Sequence, residues 1–252
     1  MKKYLAKFEN EAAYDEFKAG ENYVEPNVSW CVEEDSVKWN PYVAPVPSHD
    51  YVEIAGIKWA TMNIGATAVT DPGLFFQWGD TLGYTAAQCG SGEGQKYFGW
   101  ADYKYGNGTS SPGNTGMTKY NSTDGLTTLQ LSDDAANAAW GGNWRMPTSA
   151  ETEALGAAVT TAWTADYQGS GVKGMICTDN TDNSKVLFFP AAGYCLNGSV
   201  FDVGSYGYYW SGSLFSGNVV YGRFMLFLSG SVFWVGNSNR CYGHPVRGVL
   251  DE

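Results

Sequence analysis

Alternating hydrophobic and polar positions along much of the chain predict short β-strands. Residues 52–60 alternate around Gly56, which predicts two strands joined by a turn. Residues 80–128 are rich in Gly, Ser, Thr, Asn and Tyr and predict a long irregular region, which in a compact domain is usually functional or structurally specialised. Further strands are predicted at residues 73–79, 174–177, 185–190, 207–211, 223–228, 232–235 and 246–250.

Two helices are predicted in the middle of the chain. Residues 132–140 have the pattern of a short capped helix. A second helix is predicted after Thr148, because Glu151 follows at the spacing of a capping box, and it should run to about Ala158. Two helices among many short strands predict an α+β domain.

The first 47 residues have a different pattern. Residues 11–18 predict a short helix, and residues 23–32 and 37–41 predict two strands. Pro45 and Pro47 then predict a stiff, extended linker. We therefore expect a small β-rich attachment or oligomerisation segment at residues 1–47 and a main domain at 48–252. A partly ordered leader is the alternative for the first segment.

Composition and charge argue against several classes of protein. With 15% aromatic and 16% charged residues, the chain is typical of a globular, loop-rich fold. Its net charge of -11 argues against binding to nucleic acid or to an anionic membrane. No apolar run is long enough to span a bilayer, and residues 1–9 lack the apolar core of a signal peptide. We expect a protein that is made in the cytoplasm and does not insert into a membrane.

Motifs that would carry catalysis are missing from the sequence. It contains no nucleophile elbow, phosphate-binding loop or His-x-Glu motif, and its two histidines are His49 and His244. We expect no enzyme activity, no cofactor and no metal site. The acidic loop at residues 179–183 could hold calcium, although a solvated turn is the favoured interpretation. Ordinary reduced thiols are expected at all five cysteines, Cys31, Cys89, Cys177, Cys195 and Cys241.

Four segments together carry a family resemblance: residues 140–148 (WGGNWRMPT), 187–194 (LFFPAAGY), 207–211 (GYYWS) and 239–247 (NRCYGHPVR). In this order they resemble the major-paralogous-domain family of bacterial and phage surface proteins, over roughly residues 50–250. That family is related to the formylglycine-generating-enzyme branch of the C-type-lectin-like fold. The resemblance implies a C-type-lectin-like, ligand-binding domain. It does not carry over the enzyme activity, because Cys195 and Cys241 match no reactive-cysteine motif.

The C-terminal part also resembles the variable region of proteins that a retroelement diversifies at AAY codons. Such codons can become many residue types, but not Lys, Glu, Gln, Met or Trp. Residues 203–250 contain no Lys, Glu, Gln or Asp. The resemblance implies a variable region at about residues 208–248, in which Trp210, Met225 and Trp234 are scaffold positions.

Strand alternation then divides the side chains of this region between two faces. Met225, Phe227 and Trp234 are expected on a scaffold face, opposite an exposed apolar binding face. The alternative is a pair of strands buried on both sides. Arg240 and Arg247 are expected to make structural hydrogen bonds. The predicted ligand-binding residues are Phe215, Val220, Tyr221, Phe224, Leu226, Leu228, Phe233, Val235, Asn237, Ser238, Asn239, Cys241 and Tyr242.

The resemblances favour a phage tail-tip or fibre protein that binds a protein or glycan receptor on a host bacterial surface. Residues 25–29 and 37–41 are similar to short segments of tail proteins from phages of gut bacteria. A homo-oligomer, such as a trimer, or other virion assembly partners would suit this role. A bacterial cell-surface adhesin is the second hypothesis. An enzyme of the formylglycine-generating type is the third, and it requires a reactive cysteine pair within disulfide distance.

Overall fold

The computed structural model describes residues 49–109 and 112–252, which form an α+β domain as predicted. The elements predicted at residues 11–18, 23–32 and 37–41 lie outside the described residues. The helices are α1 (Ala135–Trp140) and α2 (Ser149–Ala158). The strands are β1 (Tyr51–Ile54), β2 (Ile57–Asn63), β3 (Phe75–Phe76), β4 (Trp144–Arg145), β5 (Val159–Thr164), β6 (Gly174–Asp179), β7 (Val186–Pro190), β8 (Tyr194–Leu196), β9 (Ser199–Phe201), β10 (Tyr206–Leu214), β11 (Tyr221–Leu228), β12 (Ser231–Asn239), β13 (His244–Pro245) and β14 (Arg247–Leu250).

An antiparallel four-stranded sheet joins the two ends of the described domain. Its strand order is β1-β2-β14-β4, so the last strand lies between β2 and β4. The predicted turn at Gly56 is confirmed. Ala55 and Gly56 both have positive φ, 55° and 73°, as a two-residue turn of type I′ requires.

Both predicted helices are confirmed, although α1 begins at Ala135, after a 3-10 turn at Leu131–Asp133, and not at the predicted residue 132. The Asp134 carboxylate accepts hydrogen bonds from two backbone N–H groups at the start of α1. Thr148 and Glu151 form the predicted capping box of α2. Arg145 reinforces this cap by donating two hydrogen bonds to the Glu151 carboxylate, at 2.6 and 2.8 Å. The start of α2 is thus fastened to β4.

The main hydrophobic core lies between two three-stranded antiparallel sheets, α2 and the β2–β14 pair. These sheets have the orders β5-β6-β7 and β10-β11-β12. Strand β5 and the β8–β9 hairpin were not predicted, and the strand expected at residues 73–79 is confined to Phe75–Phe76. The domain therefore contains more short strand pairings than the alternation pattern indicated.

Two buried arginines make structural hydrogen bonds, as predicted. The Arg247 guanidinium donates to the backbone carbonyls of Ala60, Thr61 and Phe188, at 2.9–3.0 Å. Arg240 donates to the carbonyls of residues 119, 120 and 219 and to a tyrosine hydroxyl. Because residues 119 and 120 belong to the long irregular segment, Arg240 fastens that segment to the C-terminal part of the domain.

Candidate binding face

The three-stranded sheet β10-β11-β12 carries most of the predicted variable region, with β11 in the middle. Met225 and Phe227 face the core and are buried, whereas Leu226 and Leu228 point to the other side and are half-buried. Trp234 packs against the same core, where a Cβ added at Gly156 of α2 would lie 2.5 Å from its indole ring. The predicted separation of a scaffold face from an outer face is confirmed at these positions.

A β-bulge in strand β12 interrupts the predicted alternation. The register shifts between Phe224 and Leu226, so Met225 lies opposite two residues, Trp234 and Val235. Gly236, and not Val235, therefore pairs with Phe224. Val235 was predicted to lie beside Phe233 on the outer face because the two residues are two positions apart. The bulge interrupts the alternation between them, and Val235 is half-buried.

Phe224 was expected to be exposed, and this expectation is wrong. Only 8% of Phe224 is accessible. Its ring stacks on those of Tyr208 and His244, with centroids 5.9 and 5.5 Å away, and meets the edge of Trp210. The cause is that the chain returns over this end of the sheet in β13, so His244 covers a position that strand alternation alone leaves open.

Ser238 and Cys241 are buried for the same reason, which corrects their prediction as direct ligand contacts. The Ser238 hydroxyl is 2.8 Å from Nε2 of His244, within hydrogen-bonding distance. The carbonyl of Cys241 accepts a hydrogen bond from the Gln77 side chain, 2.9 Å away. These residues stabilise the returning segment and do not reach the surface.

Beyond this covered end, the outer side of the sheet forms a continuous apolar surface. Leu226 pairs with Tyr208 on one side and with Phe233 on the other, and Phe233 is 55% exposed. The β8–β9 hairpin extends the surface, because the Tyr194 ring stacks on the rings of Phe201 and Tyr242 and contacts Tyr208. We call this surface the aromatic face; it comprises Tyr194, Phe201, Tyr206, Tyr208, Leu226, Leu228, Phe233 and Tyr242.

A carboxylate stands at the margin of the aromatic face. The Tyr208 hydroxyl donates a hydrogen bond to Asp202, at 2.8 Å. Burial, together with this bond to a carboxylate, raises the pKa of Tyr208 well above its usual value. Tyr208 is therefore a neutral phenol at physiological pH. Asp202 places a carboxylate, with its negative charge and its hydrogen-bond acceptors, at the margin of the aromatic face.

A shallow groove of about 320 Å³ borders the face at its other margin. Tyr206 and Leu228 of the aromatic face form one wall, and Trp163, Lys173 and Ser229 contribute to the rest. The groove adds the cationic side chain of Lys173 to the margin of the apolar surface.

The remaining predicted residues lie elsewhere, on the strands of the sheet or in the loop between β10 and β11. Asn237 pairs across the strands with Arg223, and Asn239 pairs with Tyr221, so these residues alternate with the buried Ser238 and point to the opposite face. Arg223 donates a hydrogen bond to Asn237 at 2.7 Å, and its guanidinium lies 4.4 Å from the centre of the Phe215 ring. The half-buried Val220 lies in the loop before β11, where its carbonyl accepts from the Arg240 N–H. The predicted set is therefore divided between two surfaces and the interior.

Four members of the aromatic face were missed by the sequence-based prediction: Tyr194, Phe201, Tyr206 and Tyr208. Tyr206 precedes the quoted segment 207–211 and Tyr208 belongs to it, and alternation along β10 would have placed these two tyrosines together on the outer side. Tyr194 and Phe201 had no such signal, because a three-residue strand is too short to show a pattern.

His244 and the acidic loop at residues 179–183 are the ionisable features of the described residues that the sequence analysis singled out. Burial lowers the pKa of His244 to about 3, so this side chain is neutral and cannot act as an acid or base near pH 7. His, Cys, Asp and Glu side chains of residues 49–109 and 112–252 form no group of three suited to a metal ion. The Asp179 carboxylate accepts hydrogen bonds from Thr181 and Asp182 of its own loop.

Two cysteines lie in the same part of the structure. Cys195 belongs to a small apolar cluster, and Cys89 packs against that cluster. The enzyme hypothesis requires such a pair, but it also requires a reactive thiolate. Burial raises the pKa of both thiols, so both are protonated at neutral pH. This geometry alone therefore does not make the pair a catalytic centre.

No protein-family model, no curated protein and no solved structure matches this chain. Among the described residues, every helix is too short or too polar to cross a membrane.

Proposed function

We propose that this chain is a non-enzymatic receptor-binding protein whose aromatic face binds a protein on a bacterial surface. The observation that carries the proposal is the continuity of the face, in which apolar side chains from β8, β9, β10, β11 and β12 adjoin one another at the surface. A contiguous exposed apolar patch of this kind is typical of an interaction site. Tyrosine and phenylalanine supply large contact areas at a small cost in side-chain entropy.

A protein partner suits this face better than a glycan does. Leu226 and Leu228 expose aliphatic side chains beside the aromatic rings of the face. Aliphatic side chains pack favourably against apolar side chains of a protein and unfavourably against sugar hydroxyls. The net charge of -11 and the carboxylate of Asp202 favour a neutral or basic partner surface. A glycan that stacks on the tyrosine rings is the competing ligand, and the experiment below separates the two.

The finer parts of the proposal are a C-type-lectin-like fold and diversification by a retroelement. Two helices and many short antiparallel strands are what that fold implies. Leu226, Leu228 and Phe233 point outward, whereas Met225 and Trp234, which cannot arise from AAY codons, pack inward. This division supports a binding surface that varies on a fixed scaffold.

A phage tail is the proposed setting, in which many copies on one particle would strengthen a weak single contact. A bacterial cell-surface adhesin with the same domain is the alternative. Sequencing the gene and its neighbourhood in many isolates separates them, since tail genes or an adjoining reverse transcriptase are expected for a diversified phage protein. Substitutions should concentrate at Leu226, Leu228 and Phe233 and spare Phe224. An even scatter over the surface would contradict diversification.

Binding is tested by comparing two variants that each introduce an aspartate at an exposed apolar position. Phe233→Asp places a charge on the aromatic face, whereas Leu82→Asp changes a residue of similar exposure, 60%, outside it. Labelled protein is titrated onto a panel of bacterial strains. On strains that bind the wild type, Phe233→Asp should weaken binding at least about tenfold, since buried aromatic anchors contribute about 2 kcal/mol or more. Leu82→Asp should bind like the wild type.

Pretreatment of the cells identifies the ligand class. Protease treatment should abolish binding, and periodate oxidation of surface sugars should leave it intact. The reverse result would assign the face to a glycan. Equal weakening by Phe233→Asp and Leu82→Asp would remove the aromatic face from the binding mechanism.

A further inference from the structure

The side of the sheet opposite the aromatic face carries a small polar patch next to the β10–β11 loop. Arg223 pairs across the strands with Asn237, and Tyr221 pairs with Asn239. Gly222, between Tyr221 and Arg223, faces the other side, where an added Cβ would lie 2.6 Å from a buried indole ring. Asn237 is exposed and the other three residues of the patch are half-buried, so a ligand can reach them.

The Arg223 side chain is fixed in place within this patch. Its guanidinium lies 4.4 Å from the centre of the Phe215 ring, and its Nη1 donates a hydrogen bond to the Asn237 side-chain oxygen at 2.7 Å. The Phe215 ring is itself held by close packing, since a Cβ added at Gly217 would lie 2.7 Å from its Cζ. A guanidinium that is already oriented loses less side-chain entropy when it binds a ligand.

Two hydrogen-bond donors of the Arg223 guanidinium are not used within the domain. Its Nε–H and Nη2–H groups have no acceptor among residues 49–109 and 112–252. The other three arginines of the chain are committed, Arg145 to two carboxylates and Arg240 and Arg247 to backbone carbonyls. The Nε and Nη2 edge of a guanidinium matches the two oxygens of a carboxylate, to which it donates two parallel hydrogen bonds. This edge of Arg223 is therefore suited to a carboxylate from outside the domain.

The neighbours of Arg223 favour a sugar as the carrier of that carboxylate. The side-chain amides of Asn237 and Asn239 can both donate and accept hydrogen bonds, as sugar hydroxyls require. Tyr221 lies beside them, with its ring centre 6.4 Å from that of Phe215. The aromatic face presents leucine side chains, whereas this patch presents amides and aromatic rings, which suit the hydroxyl and C–H groups of a sugar ring.

We propose that Phe215, Tyr221, Arg223, Asn237 and Asn239 form a binding site for a carboxylated sugar, a hexuronic acid residue. Arg223 binds the carboxylate through two hydrogen bonds, Phe215 orients the guanidinium, and the two asparagines bind ring hydroxyls. The net charge of -11 repels a carboxylate at long range, but at physiological ionic strength screening limits this repulsion to roughly 8 Å. The site is separate from the aromatic face, so the inference does not depend on the proposed function.

The arginine side chains give a direct readout of this site by NMR. The Nε–H groups of Arg145, Arg240 and Arg247 donate hydrogen bonds inside the domain, so the Nε–H signal of Arg223 is the one that should respond to a ligand. It is assigned through the backbone resonances of Arg223. The full chain, labelled with nitrogen-15, is titrated with glucuronate, with glucose and with N-acetylglutamate methylamide, which carries its carboxylate on an amino-acid side chain.

Glucuronate should shift the Arg223 signal saturably, with a Kd of roughly 1–10 mM, as expected for one monosaccharide. Glucose should bind at least about tenfold more weakly, because hydrogen bonds to a charged group are stronger than those to a neutral one. The glutamate compound should bind several-fold more weakly than glucuronate, because it lacks the hydroxyls.

Two variants control for the place of binding. Arg223→Lys keeps the charge but removes the guanidinium edge, so saturation transfer from the protein to the glucuronate protons should be lost. Phe233→Asp alters only the aromatic face, so saturation transfer to glucuronate should be retained even where attachment to cells is weakened. Failure of one site is thus distinguished from failure of the other.

The proposal is overturned if glucuronate leaves the Arg223 signal in place or shifts it without saturation. It is also overturned if the glutamate compound binds as tightly as glucuronate, because the site would then be assigned to an acidic side chain of a protein. Both results come from the wild-type protein, so neither depends on the folding of a variant.

Discussion

Replacement of Phe224 by alanine tests how the aromatic face is bounded. Phe224 is 8% exposed and surrounded by the rings of Tyr208, Trp210 and His244. Truncation would remove a buried aromatic side chain and leave a cavity, which typically costs about 3–5 kcal/mol. Phe233→Ala is the matched control: the side chain is 55% exposed, and its loss should cost less than about 1 kcal/mol.

The free energy of unfolding of both variants is measured by urea denaturation followed by tryptophan fluorescence. We expect the midpoint of Phe224→Ala to fall clearly below that of Phe233→Ala, at an unchanged m-value. In thermal unfolding, the difference of about 3 kcal/mol corresponds to roughly 6–12 °C in Tm. If the two variants are equally stable, β13 does not cover Phe224, and this residue returns to the binding face.

Three further predictions concern the scaffold. Burial lowers the pKa of His244 to about 3 in the folded protein, so between about pH 6.5 and 3 the unfolded chain binds a proton that the folded protein does not. The stabilising effect of the neutral His244 is therefore complete above about pH 6.5 and is lost as the pH falls towards 3. His244→Gln should show a smaller fall in the free energy of unfolding over that interval. Arg247→Lys should destabilise the domain by about 3 kcal/mol in urea, because a lysine cannot reach the three carbonyls that the buried guanidinium bridges, and a loss below about 1 kcal/mol would contradict that role. Thr148→Ala should cost about 1 kcal/mol and speed hydrogen exchange at the first turn of α2; unchanged exchange would show that Arg145 and Glu151 suffice.

Features set by neighbouring residues could be predicted from the sequence. The turn at Gly56 and the capping box of Thr148 and Glu151 each depend on a few adjacent positions. The inward positions of Met225 and Phe227 follow from the two-residue period of a strand. The α+β class followed from the number and kind of these elements.

Features set by distant contacts could not be predicted. Phe224 is buried by His244, which is twenty positions further along the chain, and no pattern within β11 reveals that cover. The bulge opposite Met225 depends on how two strands pair, and alternation within one strand does not show it. Tyr194 joins the aromatic face only because the β8–β9 hairpin folds beside β10.

The central position of β14 has a consequence for biosynthesis. Because this strand pairs with both β2 and β4, the first sheet of the domain cannot close until residues 247–250 have left the ribosome. Arg247 belongs to the same strand, so its hydrogen bonds to the three backbone carbonyls also form only at that stage. Until then β4 has no partner strand, so a chain that ends before residue 247 should yield an aggregation-prone product.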